Sequence, residues 1–374
     1  MASVLGPLTD RWLPALLGRG GPAAERARLR DRVRLAPDDV VALVRLGALC
    51  RAGGDLAEAL QHHRRACELA PTNPEALQHL AQDYEAAGQA EAALEVLERL
   101  RAVAPEDRWV QEHLRDLLAR AGRWREAAAA QAAILGDVAA TREPGNPGVR
   151  TWCGLRVRAG QAALEMGDTR EAMAAAREVL RVAPGFAAAY LLLGEAYRRL
   201  GRPNRGLRLW HRAYEETGHP ALLDRLEQAY LAEGRPHRLI DFYHQALLRA
   251  PDNLRLRYRL GALCVRLEMV DEAAAQLEAV AREAPGFAPA LSELADLARR
   301  RGQLGQALAY AQRALAASRT NLQAFRCAAC GAAAAEWADQ CAACGGWDSF
   351  ADPLPSPSPG AAAEEAEAAT PAEA

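Results

Sequence analysis

The sequence predicts an all-α protein in which antiparallel helix pairs stack into an array that ends in a small metal-binding module. Three observations lead to this expectation: prolines recur at intervals of 34 residues, the chain is half apolar with alanine and leucine dominant and only 5% aromatic residues, and two Cys-x-x-Cys pairs close the ordered-looking part of the chain. Alanine and leucine favour helix over strand. A fixed period of this length is typical of stacked repeats.

The chain divides into four predicted segments. Residues 1–39 form an N-terminal segment with a capping helix, since AERARLRDRVRLAP reads as the second helix of a pair without its first. Residues 40–321 hold about eight repeats, with a loop insertion at 141–150 where TREPGNPGVR carries two prolines and two glycines. Residues 322–350 form a four-cysteine metal knuckle. Residues 351–374, rich in proline, alanine and glutamate, form a disordered acidic tail.

The repeat is anchored by Pro37, Pro71 and Pro105, and the same spacing separates Pro251 from Pro285. Windows that start near 40, 74, 108, 153, 187, 220, 254 and 288 have an apolar residue at position 7, often a small residue at 8, usually glycine near 15 and a small residue at 20, and often proline near 32. Small residues let two helices approach closely, glycine accepts the left-handed turn between them, and proline ends the second helix. This pattern resembles the tetratricopeptide repeat, which implies a right-handed superhelical solenoid stabilised by stacking.

In tetratricopeptide arrays the first helices line a concave groove, and the resemblance implies that a protein partner binds there. The predicted partner positions are residues 2, 5, 9 and 12 of each first helix, although a surface helix carries a polar face even without a ligand. These positions hold Gln78, Gln82, Trp109, Glu112, Asp116, Gln161, Glu195, Arg198, Asp224, Gln228, Tyr258, Asp296 and Arg299. As a set, they predict a mixed and somewhat acidic groove.

The two Cys-x-x-Cys-Gly motifs are the strongest chemical signal in the chain. Four thiolates suit tetrahedral zinc, with iron as the alternative. The predicted ligands are Cys327, Cys330, Cys341 and Cys344. A segment this short has almost no apolar core, so the metal is expected to supply most of its folding free energy, on the order of 10 kcal/mol. We expect Trp337 or Trp347 to dock the knuckle on the second helix of the last repeat, around Tyr310 to Leu315.

The other cysteines and the His62-His63 pair are predicted to be structural. The cysteines are small apolar thiols suited to a helical core, and the histidines have no partner at ligand spacing. The four cysteines in question are Cys50, Cys67, Cys153 and Cys264.

Composition excludes several function classes. The formal net charge is −2 and all 46 basic residues are arginine, so chemistry that needs a phosphate-loop, Schiff-base or general-base lysine is absent. No hydrolase, zinc-protease or dinucleotide-binding motif appears. Residues 325–350 contain one arginine against three acidic residues, which opposes nucleic-acid binding. The expectation is a protein that is not an enzyme.

The sequence predicts no transmembrane span. The uncharged stretch from Trp12 to Gly18 is far shorter than the roughly 20 residues that a spanning helix needs. A basic region followed by a long apolar run, as in a signal peptide, is also lacking. We expect a cytoplasmic protein with at most weak peripheral membrane association. In that reducing compartment, paired cysteines indicate metal binding rather than disulfide bonds.

The ending FRCAACG…EWADQCAACGGWDSF, placed after a repeat array, resembles that of the bacterial lipopolysaccharide assembly protein B family. The positions that fit the family pattern are Phe325, Cys327, Cys330, Gly331, Cys341, Cys344 and Trp347. Trp337 stands four residues before Cys341 where the family's middle aromatic stands two before, and Ala342 replaces its usual proline. The resemblance implies a rubredoxin-like or zinc-ribbon module. It also implies a non-enzymatic adaptor that presents a lipid A biosynthesis enzyme to an inner-membrane protease. Family members carry an N-terminal membrane helix that this sequence lacks.

Two alternatives to this adaptor role remain open at the level of sequence. One is a redox or metal sensor whose knuckle releases its metal on oxidation, which requires exposed, reactive thiols. The other is a generic tetratricopeptide assembly factor unrelated to lipopolysaccharide.

Overall fold

The computed structural model describes residues 21–136, 146–318, 325–352 and 354. The chain divides into two compact units, Met1–Gly136 and Asp137–Ala374. Within the described residues there are seventeen α-helices and one small three-stranded sheet. The predicted N-terminal segment up to residue 20 and the predicted tail from residue 355 onward lie outside the described part.

Within residues 21–136, the described part of the first unit, a capping helix is followed by three antiparallel helix pairs. The capping helix, expected from the sequence, is α1 (Gly21–Leu35). The pairs are α2 (Val40–Ala52) with α3 (Leu56–Leu69), α4 (Pro74–Ala86) with α5 (Ala90–Val103), and α6 (Arg108–Arg120) with α7 (Trp124–Leu135).

The described residues of the second unit form five helix pairs and the cysteine knuckle. The pairs are α8 (Pro147–Glu165) with α9 (Thr169–Val182), α10 (Ala187–Arg199) with α11 (Pro203–Thr217), α12 (Pro220–Ala232) with α13 (Pro236–Arg249), α14 (Leu254–Arg266) with α15 (Val270–Glu283), and α16 (Ala288–Arg300) with α17 (Leu304–Ser318). The knuckle contributes β1 (Phe325–Cys327), β2 (Ala333–Ala334) and β3 (Phe350–Ala351), both outer strands running antiparallel to β1.

The predicted repeat windows coincide with the first helices of the pairs, and seven of the eight predicted starts are observed helix starts. The exception is α8, which begins at Pro147, so the predicted loop at 141–150 is wrong over its last four residues. The side-chain oxygen of Asn146 accepts hydrogen bonds from the backbone N–H groups of Gly148 and Val149, at 2.9 and 3.3 Å. Proline is favourable at the first helical position, where its missing N–H costs nothing. Residues 141–145 lie outside the described residues.

The turn inside each pair passes through a left-handed residue at position 15. Glycine occupies it in seven pairs, with φ between 66° and 88°. The eighth pair has Glu268 there, with φ of 59°. A side chain in this conformation costs free energy that glycine avoids. The turn geometry is therefore maintained even where the sequence departs from the motif.

In the pair α10 and α11, small residues at positions 8 and 20 let the two helices approach closely, as the sequence predicts. A Cβ atom on Gly206 would lie 2.7 Å from the carbonyl oxygen of Gly194, and a Cβ atom on Gly194 would lie 2.1 Å from the ring of Trp210. The Trp210 ring is buried, and its indole N–H donates to the carbonyl of Tyr190 at 2.9 Å. The glycines thus make room for a large aromatic core residue.

In the first unit a buried polar group joins two pairs. His63 and Asp83 are both fully buried, with His63 Nδ1 2.5 Å from Asp83 Oδ2. The other ring nitrogen, Nε2, lies 3.1 Å from the carbonyl of Val44 and therefore carries a proton, because a carbonyl oxygen only accepts. Arg51 donates to the second Asp83 oxygen at 2.8 Å. The buried carboxylate is thereby paired, as burial of a charge requires.

Candidate metal centre and binding cleft

The four predicted ligand sulfurs converge on one point. Their Sγ atoms all lie within 4.8 Å of one another, with Cys327 to Cys344 at 3.6 Å and Cys330 to Cys341 at 3.8 Å. Four sulfurs placed about 2.3 Å from a tetrahedral zinc ion would be separated by about 3.8 Å. The donor set and its dimensions therefore fit a single tetrahedral metal ion.

The two Cys-x-x-Cys-Gly segments have the same backbone structure. In the first, Gly331 N–H donates to the Cys327 carbonyl and Cys327 N–H to the Ala332 carbonyl, at 2.8 and 2.9 Å. In the second, the N–H groups of residues 345 and 341 donate to the carbonyls of residues 341 and 346, both at 2.8 Å. Gly331 and Gly345 have φ of 74° and 72°, so each tight turn uses the glycine that the sequence places after the second cysteine.

The sulfurs differ in exposure and in hydrogen bonding. Cys327 and Cys341 are buried, whereas Cys330 and Cys344 are exposed. The hydroxyl of Ser349, 3.2 Å from Cys327 Sγ, lowers the pKa of that thiol below its usual range, and nearby backbone N–H groups act in the same direction. Such contacts stabilise the thiolate form that binds metal.

The knuckle docks on the first helices of the second unit, so the predicted docking on the second helix of the last pair is wrong. The buried ring of Trp347 packs against Gly154 of α8, where a Cβ atom would lie 2.1 Å from the ring. In α17, Leu308 and Leu315 remain about 60% exposed. The prediction assumed that the knuckle packs on its neighbour in sequence, but the hollow that accepts the indole ring is on a distant helix.

An ion pair and a cation–π contact reinforce this docking. Arg158 Nη2 lies 2.9 Å from Asp339 Oδ1, and the Arg158 guanidinium carbon lies 5.7 Å from the centre of the Trp347 ring. One arginine of α8 therefore contacts the knuckle through both a charge and an aromatic face.

His219, just before α12, provides a second contact. Its Nδ1 accepts a hydrogen bond from the backbone N–H of Ala221 at 3.3 Å, so the ring proton is on Nε2. That nitrogen lies 3.3 Å from Asp348 Oδ1, an electrostatic contact with the carboxylate. The ring also meets Trp337 edge to face, with centres 5.0 Å apart. A helix-capping histidine thus also holds the knuckle.

The beginning of the predicted tail is part of the folded unit. Arg255 of α14 and Asp352 form a largely buried ion pair, with Arg255 Nε 2.7 Å from Asp352 Oδ2. Leu354 is buried within the apolar core of the second unit. The prediction of a disordered tail from residue 351 is therefore wrong at least for these two residues and for Ala351, which lies in β3.

A cleft of about 600 Å³ lies between the knuckle and the first helices. Its floor includes Tyr258 of α14 and Phe287 just before α16, and its wall includes Phe325 and Trp337 of the knuckle. Charged residues of α12 and α14 also line it.

Three of the predicted partner positions line this cleft, namely Asp224, Gln228 and Tyr258. The structure brings no other predicted position into it. Several of the others are engaged in ion pairs within their own helix: Glu112 with Arg108, Glu195 with Arg198, and Asp296 with Arg299. Trp109 stacks on His113, and Gln161 accepts from Arg158 at 3.4 Å. Gln78, Gln82 and Asp116 lie on first helices of the first unit, outside the cleft.

The sequence did not predict two groups of residues that line the cleft. These are the knuckle residues and two arginines of α14, Arg255 and Arg259. A faint signal existed, because LRLRYRLGALCVR places several arginines on a first helix that is otherwise apolar. Their partners, Asp352 and Asp224, lie too far away in sequence to be paired without the fold.

A second cluster of potential ligands lies in the first unit. Ligand atoms of Cys50, Glu58 and His62 lie within 4.8 Å of one another, so His62 has spatial partners that sequence spacing did not reveal. Arg30 binds both oxygens of Glu58, at 2.7 and 2.9 Å, and its hydrogen bond lowers the pKa of that carboxyl to about 2. A guanidinium in this place competes with a metal cation, so the cluster is explained as an ion pair.

The four remaining cysteines are buried, as predicted. Burial raises the pKa of Cys67 and Cys264 to about 11 and that of Cys153 to about 12. These four thiols are buried core residues, whereas Cys330 and Cys344 of the knuckle are exposed.

Family models assign the repeats. Three tetratricopeptide repeat models match the chain, one over residues 51–120, one over 14–74 and 157–218, and one over 222–257. Together they cover more than half of it. The chain is therefore a tetratricopeptide repeat protein.

Several solved structures are similar to this chain at low sequence identity. The MamA protein is 20% identical, with a TM-score of 0.32, over 47% of this chain and 90% of that chain. YrrB, described as a tetratricopeptide repeat protein with an unusual peptide-binding site, is 16% identical, with a TM-score of 0.33, over 55% and 97%. The Naa15/Naa10 complex bound to HypK-THB is 11% identical, with a TM-score of 0.47, over 80% and 56%. No curated protein matches this chain.

Among the described residues, no helix combines the length and the apolar character needed to cross a membrane.

Proposed function

We propose that this protein is a non-enzymatic adaptor that binds a partner protein on the first-helix face of its repeats. The observation that supports this most directly is the cleft between the first helices of the second unit and the knuckle, which combines an aromatic floor and wall with polar groups. Such a mixture is typical of sites that bind another molecule. The proposed compartment is the cytoplasm, where the buried thiols stay reduced.

We further propose that the four knuckle cysteines hold a structural metal ion, zinc in preference to iron. The sulfur separations support a tetrahedral ion, and the four positions are filled by protein ligands, as in closed structural sites. The ion would fix the two Cys-x-x-Cys-Gly turns and so hold Trp337 and Trp347 against the repeats.

Elemental analysis of freshly purified protein tests the metal proposal. About one equivalent of zinc or iron per chain is expected, because four thiolates define one site. Cys330→Ser should lose the metal, and Cys67→Ala, which removes a buried thiol of the first unit, should retain it. Protein with no bound metal after purification without chelators contradicts the proposal.

The finer function that we propose is regulation of lipopolysaccharide synthesis through a lipid A biosynthesis enzyme. Its support is the resemblance of residues 325–350 to the ending of the lipopolysaccharide assembly protein B family. A pull-down from the native host with the intact protein, followed by the reciprocal pull-down, tests it. Stoichiometric recovery of a lipid A enzyme is expected. Reproducible recovery of a different partner would leave the adaptor role but remove this assignment.

A second candidate function is a thiol-based redox or metal sensor, which the exposure of Cys330 and Cys344 favours. Mild peroxide treatment followed by a colorimetric zinc assay separates the two functions. A sensor releases its metal within minutes and recovers it on reduction, whereas a structural site retains the metal while exposed control thiols oxidise.

A further inference from the structure

We propose that the knuckle forms one wall of a composite peptide-binding site, whose ligand is an extended segment of a partner protein with an apolar anchor side chain. This inference rests on the proposed adaptor function and identifies the site and the chemistry of its ligand. The site is the cleft of about 600 Å³ between the first helices of the second unit and the knuckle. Its volume lies in the range of natural ligand pockets, about 300–1,000 Å³.

The aromatic residues of the cleft suit an apolar anchor. Tyr258 and Phe287 meet edge to face on the floor, with ring centres 4.9 Å apart. Phe325 and Trp337 face the cleft from the knuckle. Aromatic side chains from two elements that are distant in sequence thus surround one space. Aromatic pockets of this kind are where interfaces concentrate their binding free energy.

The charges of the cleft balance, so its ligand need not be an ion. Arg255 pairs with Asp352, Arg259 with Asp224, and Arg266 with Glu227. Arg225 and Glu336 add one charge of each sign. A phosphate or a cation would meet no net opposite charge here, whereas a neutral peptide backbone would meet no net repulsion.

Two hydrogen-bond donors that line the cleft have no acceptor within the part of the chain that the structure describes. Trp337 Nε1 and Arg259 Nε are buried donors without an acceptor among the described residues, and both residues line the cleft. An unpaired buried donor costs free energy that an incoming acceptor recovers. Peptide carbonyl oxygens supply such acceptors. Neighbouring atoms cover both nitrogens, so a ligand reaches them after a side-chain rotation, a common change when interfaces form.

The knuckle wall makes binding depend on the metal site. Trp337 lies between the two cysteine pairs, and its position is held by His219 and by the docking of Trp347 on Gly154. Without the metal, the knuckle would no longer hold Phe325 and Trp337 opposite Tyr258 and Phe287. Peptide binding at this site should therefore be lost in a variant that lacks one sulfur ligand, even though the helix pairs stay folded.

The test uses the full-length protein and a random dodecapeptide library displayed on phage. The tightest selected peptide is synthesised with a fluorophore, and its affinity is measured by fluorescence polarisation for wild type, Trp337→Phe, Cys330→Ser and the control Trp124→Phe. Trp337→Phe keeps an aromatic ring but removes the N–H donor together with part of the indole, and should weaken binding by at least about two- to tenfold, the usual effect of one hydrogen bond. Cys330→Ser should abolish binding, and the control should bind as wild type does.

A spectroscopic readout locates the contact independently. In ¹⁵N-tryptophan-labelled protein, the indole N–H signal that is missing from Trp337→Phe should move downfield when the peptide is added, because that N–H gains an acceptor. Circular dichroism of Cys330→Ser checks that the helices persist.

The outcomes separate this inference from the function on which it rests. Peptides that bind Cys330→Ser and Trp337→Phe as tightly as wild type would overturn the composite site and leave an adaptor that binds elsewhere. Selected peptides with a shared run of acidic or basic residues and no apolar residue would overturn the assigned ligand chemistry. If the library yields no binding peptide, both the composite site and peptide recognition by this protein fail.

Discussion

Two tryptophan rings pack against glycines in the second unit, Trp210 against Gly194 and Trp347 against Gly154. In each contact a Cβ atom on the glycine would lie 2.1 Å from the ring. The first contact joins the two helices of one pair, α10 and α11. The second joins α8 to a knuckle almost two hundred residues later in the chain. The tryptophan and glycine are thus close in sequence in the first contact and far apart in sequence in the second.

The difference shows what holds each contact in place. Trp210 is positioned by helices whose own hydrogen bonds and repeat spacing fix their separation, and its N–H bonds to the same first helix. Trp347 lies in a segment with three strands of two or three residues, too short to fold through apolar burial alone. Its contact with Gly154 therefore depends on the sulfur cluster, whereas the Trp210 contact does not.

Removing one sulfur ligand should break the long-range contact and spare the short-range one. In Cys341→Ser we expect the knuckle to lose its metal and unfold, because structural metal supplies on the order of 10 kcal/mol in such modules. Hydrogen exchange should accelerate throughout residues 325–352 and stay unchanged in α10 and α11. Protection of residues 325–352 in the variant would show that the knuckle folds without its ligands.

Adding a methyl group at Gly194, where the Trp210 ring packs, should destabilise the repeats themselves. Gly194→Ala places a methyl group inside the Trp210 ring contact, and such overpacking costs about 1–3 kcal/mol. The urea midpoint of helix unfolding should fall. Gly305→Ala in α17 is the matched control, since a Cβ there meets nothing within 4 Å, and it should be neutral or stabilising. Equal midpoints for the two variants would contradict the packing argument.

The same substitution at the long-range contact should have a smaller and more local effect. Gly154→Ala creates an equal overlap with Trp347. Because the whole knuckle can move away from α8, this overlap is relieved when the knuckle separates from the helix. We expect faster hydrogen exchange at the α8 face and in residues 325–352, with the metal content and the urea midpoint of the repeats retained. Metal loss in this variant would mean that docking and metal binding are one step.

The smallest expected effect concerns the left-handed turn residue inside a helix pair. Glu268 occupies the left-handed position that seven glycines occupy in the other pairs. Glu268→Gly should stabilise α14 and α15 by about 1 kcal/mol, because glycine adopts this conformation without a Cβ penalty. A thermal melt compared with that of Gly234→Ala, which should be destabilised at the equivalent position, measures it. A lower melting temperature for Glu268→Gly would contradict the assignment of strain.

Particular residues mark where sequence reasoning succeeded and where it failed. The glycine turns, the small residues at Gly194 and Gly206 and the four converging cysteines were predicted, since each depends on partners at fixed short spacing. The start of α8 at Pro147 was missed because a proline–glycine cluster predicts a loop equally well. The docking face was missed because Arg158 and Asp339 carry no sign of each other in the sequence.

The sequence by itself determined the helix pairs, their turns and the four-sulfur cluster, because these features depend on contacts within one 34-residue period or within two Cys-x-x-Cys segments. Tertiary structure alone decided that the knuckle lies on the first helices rather than at the end of the array. It also decided that Arg255 pairs with Asp352 and that a cleft with aromatic floor and wall results. The physical reason is that complementarity between a hollow at Gly154 and an indole ring is a property of surfaces in space. No periodicity along the chain encodes which surfaces meet.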